Sequence, residues 1–224
     1  QRQMCIRDSA YGAKVCVQLS PGLGRQQFTD PFTPPYSAGS VGAFWFPNLI
    51  CKPFSKEDIH YLVEKVGYSA SLAVNAGADC VELHAYGGYL LDQFHSVQWN
   101  NRTDEYGGDI HGRLRLTLEV IEEVRKQCGR DFIIDVRISG DEYSDGGLTL
   151  NDMIYVSKQL EKATVDFIHV SGGNTIKKGS SMPASGTAPA PHKHASEEIK
   201  KHVSIPVATV SRINEPVSYT HLTL

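Results

Sequence analysis

The chain has 224 residues, of which 41% are hydrophobic and 21% are charged, a composition typical of a folded globular protein. Its formal net charge of −3 provides no basic excess to pair with phosphate, so neither a nucleic acid nor a membrane surface is expected as a partner. No apolar run approaches the roughly 20 residues that cross a bilayer and no secretory signal is visible, so we expect a cytoplasmic protein.

The cysteines and the two ends of the chain complete this first reading. Five widely spaced cysteines without a C-x-x-C motif indicate reduced thiols rather than disulfides or a metal site. Residues 1–9 and 217–224 fit neither neighbouring pattern, and we interpret them as non-native terminal segments; frayed natural termini are the alternative. The sequence then predicts a fragment with a single incomplete domain over residues 10–216.

The first half of the chain begins with a strand at 13–19, a β-branched run that a proline and glycine turn ends. Residues 20–54 are rich in proline, glycine and aromatics and show no period, which is typical of a functional loop over a site. A helix is predicted over 55–76, where Ser55 and Asp58 form a capping box.

The rest of the chain alternates between predicted strands and helices. They are a strand at 80–83, a helix at 113–128, a strand at 132–138, a helix capped by Thr149 and Asp152 that reaches 163, a strand at 165–170, a long loop at 174–194, a short helix near 196–203 and a strand at 205–210. Repeated strand–helix alternation predicts parallel strands with right-handed crossovers.

The fold is therefore either an open doubly wound sheet or a (β/α)₈ barrel. No G-x-G-x-x-G follows any strand, which counts against a dinucleotide-binding doubly wound domain. Polar side chains instead end every predicted strand: Gln18, Glu82 with His84, Arg137, His169 with Ser171, and Thr209 with Ser211. Convergence of strand ends at one mouth favours a partial TIM (β/α)₈ barrel with about five of its eight strands present, the first two and the last being absent.

The stretch from 78 to 108 organises the chain. Glu82 and His84 are two residues apart, so they share one face of a strand. The string HAYGGYLLDQF, followed by WNNRTDEYGG, resembles the signature of the Old Yellow Enzyme family of flavin-dependent ene-reductases, in its NADH:flavin oxidoreductase and 2-enoate reductase branch. The resemblance runs from about residue 14 to residue 216. It implies FMN over the barrel mouth, NADH or NADPH as electron donor and a small enone or enoate as substrate.

The resemblance also assigns roles to residues that bind the flavin. Gln18 matches the glutamine that hydrogen-bonds the flavin pyrimidine edge; a solvent-facing glutamine is the alternative. Arg137 matches the arginine near flavin N1, where a permanent cation stabilises reduced flavin; a salt bridge to Asp135 or Glu82 is the alternative. Ser171 and Gly172, at the end of their strand, and His84 are also assigned to the cofactor site.

Two catalytic residues are expected on the same basis. His84 matches the first residue of the pair that binds the substrate carbonyl, but Gly87 stands where the second donor belongs, and Tyr86 is left as a substitute by another route. Tyr89 matches the tyrosine that protonates the α-carbon of the alkene, since a phenol keeps its proton near neutral pH. A structural histidine and a packed aromatic remain the alternatives.

Other polar residues are expected to be structural. Glu82 is predicted to orient neighbours, because no third metal ligand follows at sensible spacing. Charged hydrogen bonds of Arg102, Asp104 and Glu105 are expected to hold their loop against the next helix, and Arg25 is expected in solvent. His169 is expected either in the core or in the lining of the flavin site. No role is assigned to His192 and His194, which lie in a stretch expected to be flexible.

The residue pattern leaves two alternative functions open. A non-flavin barrel lyase or isomerase would require a lysine at a strand end, and none is found at the carboxyl end of a predicted strand. An inactive truncated fragment, poorly soluble and weak in FMN binding, is the other. Substrate identity and oligomeric state are not legible, and the iron–sulfur cluster and FAD of longer relatives would lie beyond this chain.

Overall fold

The computed structural model describes residues 10–28, 30–176, 183–184 and 186–213; the two terminal segments interpreted as non-native lie outside this part. Its strands are β1 Cys16–Leu19, β2 Tyr36–Ser37, β3 Lys52–Pro53, β4 Cys80–Ala85, β5 Ile133–Ser139, β6 Phe167–Ser171 and β7 Val207–Thr209. Its helices are α1 Lys56–Asn75, α2 Leu90–His95, α3 Ile110–Cys128, α4 Leu150–Lys162 and α5 Lys193–Lys200. Among the helices described here, none combines the length and apolarity needed to cross a membrane.

The main sheet has five parallel strands in the order β1-β4-β5-β6-β7. Consecutive main-sheet strands are neighbours and helices connect β4, β5, β6 and β7, so the sheet is one arc of a (β/α)₈ barrel and the predicted partial barrel is confirmed. The loop over 20–54 is less irregular than expected. It contains a 3₁₀ turn at Gly24–Gln26 and the small parallel pair β2–β3. Strands of two residues are too short to produce a periodic pattern, so the sequence did not predict this pair.

The strand register separates polar from apolar side chains. Gln18, Glu82 and Asp135 form one row across three strands, and His84, Arg137 and His169 form the next row. Because facing residues in parallel strands point the same way and alternate residues share a face, both rows lie on one side of the sheet. The opposite side is apolar and fully buried at Val81, Leu83, Ile134, Val136, Ile138, Ile168 and Val170. Burial of this apolar side against the helices stabilises the sheet.

Helix boundaries follow from caps. The predicted capping boxes of Ser55 with Asp58 and of Thr149 with Asp152 are both present. Helix α3 begins three residues before its predicted start because the Asp109 carboxylate accepts the Gly112 N–H at 2.9 Å.

Two helices depart from the sequence expectation. The predicted start of the last helix at Ser196 was wrong, because the Ser196 hydroxyl donates back to the His192 carbonyl at 3.1 Å inside α5 instead of capping it. Helix α2 was not predicted: its six residues, three apolar and three polar, are all buried, so no solvent-exposed side produces a polar–apolar period.

We expect replacement of Ser55 by alanine to lower the free energy of unfolding by about 1 kcal/mol, since the Asp58 N–H loses its acceptor at 3.1 Å. The matched control is Ser69→Ala in the same helix, where an exposed hydroxyl donates only to the Lys65 carbonyl; its change should stay within about 0.5 kcal/mol. Urea denaturation of the chain measures both. Equal losses in the two variants would contradict the assignment of the cap.

Candidate functional site

The carboxyl ends of β4, β5 and β6 bring predicted site residues into contact. The Arg137 Nε donates to the Ser171 hydroxyl at 2.9 Å, and the guanidinium lies 4.3 Å from the centre of the Tyr86 ring. The His84 ring is 5.0 Å from the Tyr86 ring and 4.8 Å from the Tyr89 ring, edge to face with the latter. A cation, an imidazole and two phenols therefore form one contiguous cluster, which we call the mouth cluster: His84, Tyr86, Tyr89, Arg137 and Ser171.

The turn after β4 requires glycine. Gly87 and Gly88 have φ values of 72° and 78°, a left-handed conformation that strains other residues. A Cβ on Gly88 would also approach the Trp99 ring to 3.1 Å, and the Gly88 N–H donates to a buried Asp92 oxygen at 2.7 Å. The residue at the second donor position is thus a glycine that shapes the turn, and the turn delivers Tyr89 as the N-cap of α2 beside His84.

Arg137 has no acidic partner in the part of the chain that the structure describes. In the described ranges no carboxylate lies within ion-pair distance of its guanidinium, so the salt bridge to Asp135 or Glu82 does not form. Only its Nε has a protein acceptor among these residues, while Tyr86 covers one face. A guanidinium has five N–H donors, so the remaining ones are available to an anionic or carbonyl-rich ligand.

His84 is neutral near pH 7. Burial, aided by the Arg137 charge, lowers the pKa of His84 to about 4. Its Nδ1 is buried and has no hydrogen-bond partner among the residues that the structure describes, and the residue is only 8% exposed. A neutral imidazole can donate one hydrogen bond, which is the role that a carbonyl-binding histidine needs.

Gln18 belongs to the row below the mouth cluster. Its Nε2 donates to the Glu82 Oε1, and the residue is exposed on the edge strand β1. The amide therefore shares the polar side of the sheet with His84 and Arg137, but it lies one row away from them and bonds to Glu82 of its own row. Whether it also meets a flavin stays a prediction.

Glu82, Asp135 and His169 form a second cluster, which spacing along the chain does not reveal. The His169 Nδ1 is 2.6 Å from the Glu82 Oε2, and one ligand atom from each residue lies within 4.8 Å of the others. The sequence spacing predicted no third ligand for the pair Glu82 and His84; the sheet instead joins Glu82 to Asp135 and His169 from other strands, without His84. His169 thus lines the polar side and contacts Glu82.

Protons in this cluster are shared unequally. Burial raises the pKa of Asp135, and the adjacent Glu82 raises it further, so Asp135 holds a proton near neutral pH. Burial also opposes ionisation of Glu82, but hydrogen bonds from His169, Asp135 and Gln18 outweigh it and lower the pKa of Glu82 overall. Glu82 is thus the anion of the cluster and, as predicted, orients its neighbours.

Gly172 and His192 are packed together behind the mouth cluster. A Cβ on Gly172 would clash with the His192 Nδ1, so only glycine permits this approach. His192 is 2% exposed and stacks on Tyr143, with ring centres 6.0 Å apart. The expectation that His192 belongs to a flexible stretch was therefore wrong, whereas His194 is exposed.

Arg25 and Arg102 hold the loop over 20–54. Arg25 was expected in solvent, but it is half-buried: its Nε donates to the Gly42 carbonyl at 3.0 Å and its guanidinium lies 5.8 Å from the Trp99 ring centre. The structural role of Arg102 is confirmed, since it pairs with Asp104 at 2.6 Å. It also donates to two carbonyls, of Ala38 and Phe54. It thus anchors this earlier loop rather than the following helix.

The donors of the mouth cluster suit a flavin. Reduced flavin carries negative charge at its pyrimidine edge, and Arg137, which has no carboxylate partner among the described residues, is a permanent cation at the carboxyl end of the sheet. The buried His84 Nδ1, which also lacks a hydrogen-bond partner in the described part of the chain, is a further polar group that a ligand can engage. Ser171 fixes the guanidinium from the neighbouring strand.

Comparison with known proteins finds similar sequences and similar folds. The model of the NADH:flavin oxidoreductase / NADH oxidase family matches residues 4–222. Cinnamate reductase of Clostridium sporogenes is 33% identical over 96% of this chain and 35% of its own length, so the chain spans about a third of that relative.

Two solved structures share the fold. Histamine dehydrogenase from Rhizobium sp. 4-9 superposes with a TM-score of 0.82 at 23% identity, over 93% of this chain and 30% of its own. The Old Yellow Enzyme homologue from Zymomonas mobilis gives a TM-score of 0.72 at 22% identity, over 95% of this chain and 59% of its own. At such identities the likeness shows the fold alone.

We expect the pKa of His84 to rise when Arg137 is replaced by glutamine, because the lost cation no longer disfavours the imidazolium. The rise should be partial, since burial is the larger cause of the low value. Arg137→Lys keeps the charge and is the matched control, with a pKa that stays near 4. Proton NMR titration of the imidazole, assigned by its loss in His84→Gln, measures all three proteins. A wild-type pKa near the ordinary 6.5, or identical values in the Gln and Lys variants, would contradict this electrostatic account.

Proposed function

Because the chain belongs to the NADH:flavin oxidoreductase / NADH oxidase family, we propose that the whole protein is an FMN-dependent ene-reductase. It reduces an alkene conjugated to a carbonyl, with NADH or NADPH as the electron source. Domain 10–216 supplies the mouth of its barrel. Family membership favours this function over a barrel lyase or isomerase without flavin.

The observation that carries the proposal is the uncompensated Arg137 beside neutral His84. An unpaired guanidinium in a partly buried place is costly unless a ligand supplies the opposite charge. Reduced FMN has that charge, and bound FMN supplies the hydride chemistry. Arg137 holds the flavin at its pyrimidine edge and stabilises the reduced form through its permanent charge. Gln18, Ser171 and Gly172 complete the cofactor contacts in this proposal.

His84 and Tyr89 act on the substrate. His84 donates a hydrogen bond to the carbonyl oxygen, which stabilises the enolate-like charge that grows as the β-carbon is reduced. Tyr89 gives the proton of its hydroxyl to the α-carbon; in the described ranges that hydroxyl has no protein partner. Since Gly87 replaces the second donor, carbonyl binding depends on His84, with the Tyr86 hydroxyl next to it as the other available donor.

The substrate class rests on the relatives. One of them is named cinnamate reductase, and cinnamate is an α,β-unsaturated carboxylate. An enoate or enone of similar size is therefore the proposed substrate here. An iron–sulfur cluster and FAD would belong to parts of the whole protein outside this chain, and a cytoplasmic location stays a prediction.

The test uses the whole protein and separates its two half-reactions. In Tyr89→Phe, stopped-flow reduction of the flavin by NAD(P)H should be unchanged, because no substrate proton is needed there. Reoxidation by the enoate should slow by at least about 100-fold, the usual contribution of a general acid. Tyr61→Phe is the matched control, since that tyrosine is 63% exposed on α1.

Two results would contradict the proposal. If the whole protein contains no FMN after purification and reconstitution, the assignment of FMN as cofactor is contradicted, and the proposed reaction is contradicted with it. Unchanged reoxidation in Tyr89→Phe would remove Tyr89 as the acid while leaving the flavin assignment intact.

A further inference from the structure

Two cysteines face each other at the end of the sheet opposite the mouth cluster. Cys16 on β1 is directly opposite Cys80 on β4 in the parallel register, and their sulfur atoms are 2.6 Å apart. The two residues precede Gln18 and Glu82 by two positions each, so they lie on the same polar side of the sheet. Neither cysteine has a part in the proposed ene-reduction.

The backbone geometry suits a covalent link between them. Adjacent strands are about 4.8 Å apart, which is inside the 4.4–6.8 Å range of Cα separations that disulfides span. Both side chains project from the same face, and their sulfur atoms already meet. Bond formation therefore needs side-chain rotation and little movement of the strands.

Accessibility distinguishes this pair from the other described cysteines. Cys16 is exposed while Cys80 is buried, so a reagent in solvent reaches the Cys16 sulfur, and the Cys80 sulfur is in contact with it from the buried side. Cys51 is buried and Cys128 is half-buried, and neither has a second sulfur in contact within the described ranges. The hydrogen bond between the two sulfurs lowers the pKa of Cys80. When the pair loses one proton, the Cys16 thiol therefore donates to the Cys80 thiolate and stabilises it.

We propose that Cys16 and Cys80 are a reversible redox modification site, which a low-molecular-weight disulfide such as oxidised glutathione converts to an intrachain disulfide. The Cys16 thiol first passes its proton to the Cys80 thiolate across their hydrogen bond, and the Cys16 thiolate so formed attacks one glutathione sulfur and releases the other as a thiolate. The Cys80 sulfur then attacks the Cys16 sulfur of the mixed disulfide, and the second glutathione leaves as a thiolate that takes up the Cys80 proton. In total two protein thiols are oxidised by two electrons, and one glutathione disulfide is reduced to two glutathiones.

The link has a structural consequence that can be measured. It ties β1, an edge strand, to β4, which carries Glu82 and His84. Cross-linking residues 64 positions apart removes freedom mainly from the unfolded chain. The oxidised protein should therefore unfold at a higher urea concentration than the reduced protein, and dithiothreitol should reverse the shift.

The direct test is a peptide map of the full chain after incubation with oxidised glutathione, alkylation and tryptic digestion without reductant. Trypsin gives fragments 15–25 and 66–102, which contain Cys16 and Cys80 as their single cysteines. The dominant product should be these two fragments joined, with a mass two hydrogens below their sum. The joined species should persist in Cys51→Ser and Cys128→Ser and disappear in Cys16→Ser.

A denatured sample tests whether the fold directs the pairing. In concentrated urea the same oxidation should scatter the links among all five cysteines. If the oxidised native protein gives fragments 15–25 and 66–102 unlinked, each alkylated or carrying glutathione, the proposal is overturned. A dominant link from either fragment to another cysteine would also overturn it. Since the wild-type map decides the question, a variant that fails to fold does not affect it.

Discussion

The parallel register of β1, β4, β5 and β6 is the constraint on which the rest of the structure depends. It places Glu82 opposite Asp135 and His84 opposite Arg137, so each strand contributes to the same rows of polar side chains. The alternate positions between them are apolar and buried under the helices. A shift of one residue in any strand would exchange the two sets, burying charges against the helices and losing the hydrophobic core at once. Core packing therefore fixes the geometry of the mouth as a consequence.

The two polar rows differ in how their charge is balanced. In the deeper row the Glu82 carboxylate accepts hydrogen bonds from Gln18 and from His169 of the next row, and Asp135 stays protonated beside it, so the anion of this row has protein partners. In the row at the mouth Arg137 keeps its charge without a carboxylate partner among the described residues, and His84 is held neutral beside it. A row whose anion has protein partners, beneath a row whose cation has no acidic one in the described ranges, is the arrangement expected of a support under a binding site.

Local signals predicted the parts of the fold that local chemistry determines. The capping boxes at Ser55 and Thr149 depend on residues three apart, and both were predicted correctly. Helix α2 was missed because its complete burial removes the periodic signal. The contact of His169 with Glu82 joins residues 87 positions apart, so only the sheet order reveals it.

Family resemblance supplied what the residue pattern could not. His84, Tyr89, Arg137 and Ser171 do lie together, as the resemblance implied. At the departure from the family pattern, Gly87 has a φ of 72°, a left-handed conformation that glycine adopts without strain.

The central claim is that the mouth cluster binds the flavin through Arg137, and a crystal structure of the whole protein grown with FMN tests it most directly. We expect the isoalloxazine over the row of His84 and Arg137, with the guanidinium within hydrogen-bond distance of the N1 and C2 carbonyl edge. Electron density for the flavin elsewhere, or Arg137 paired with a carboxylate from another part of the whole protein, would contradict it.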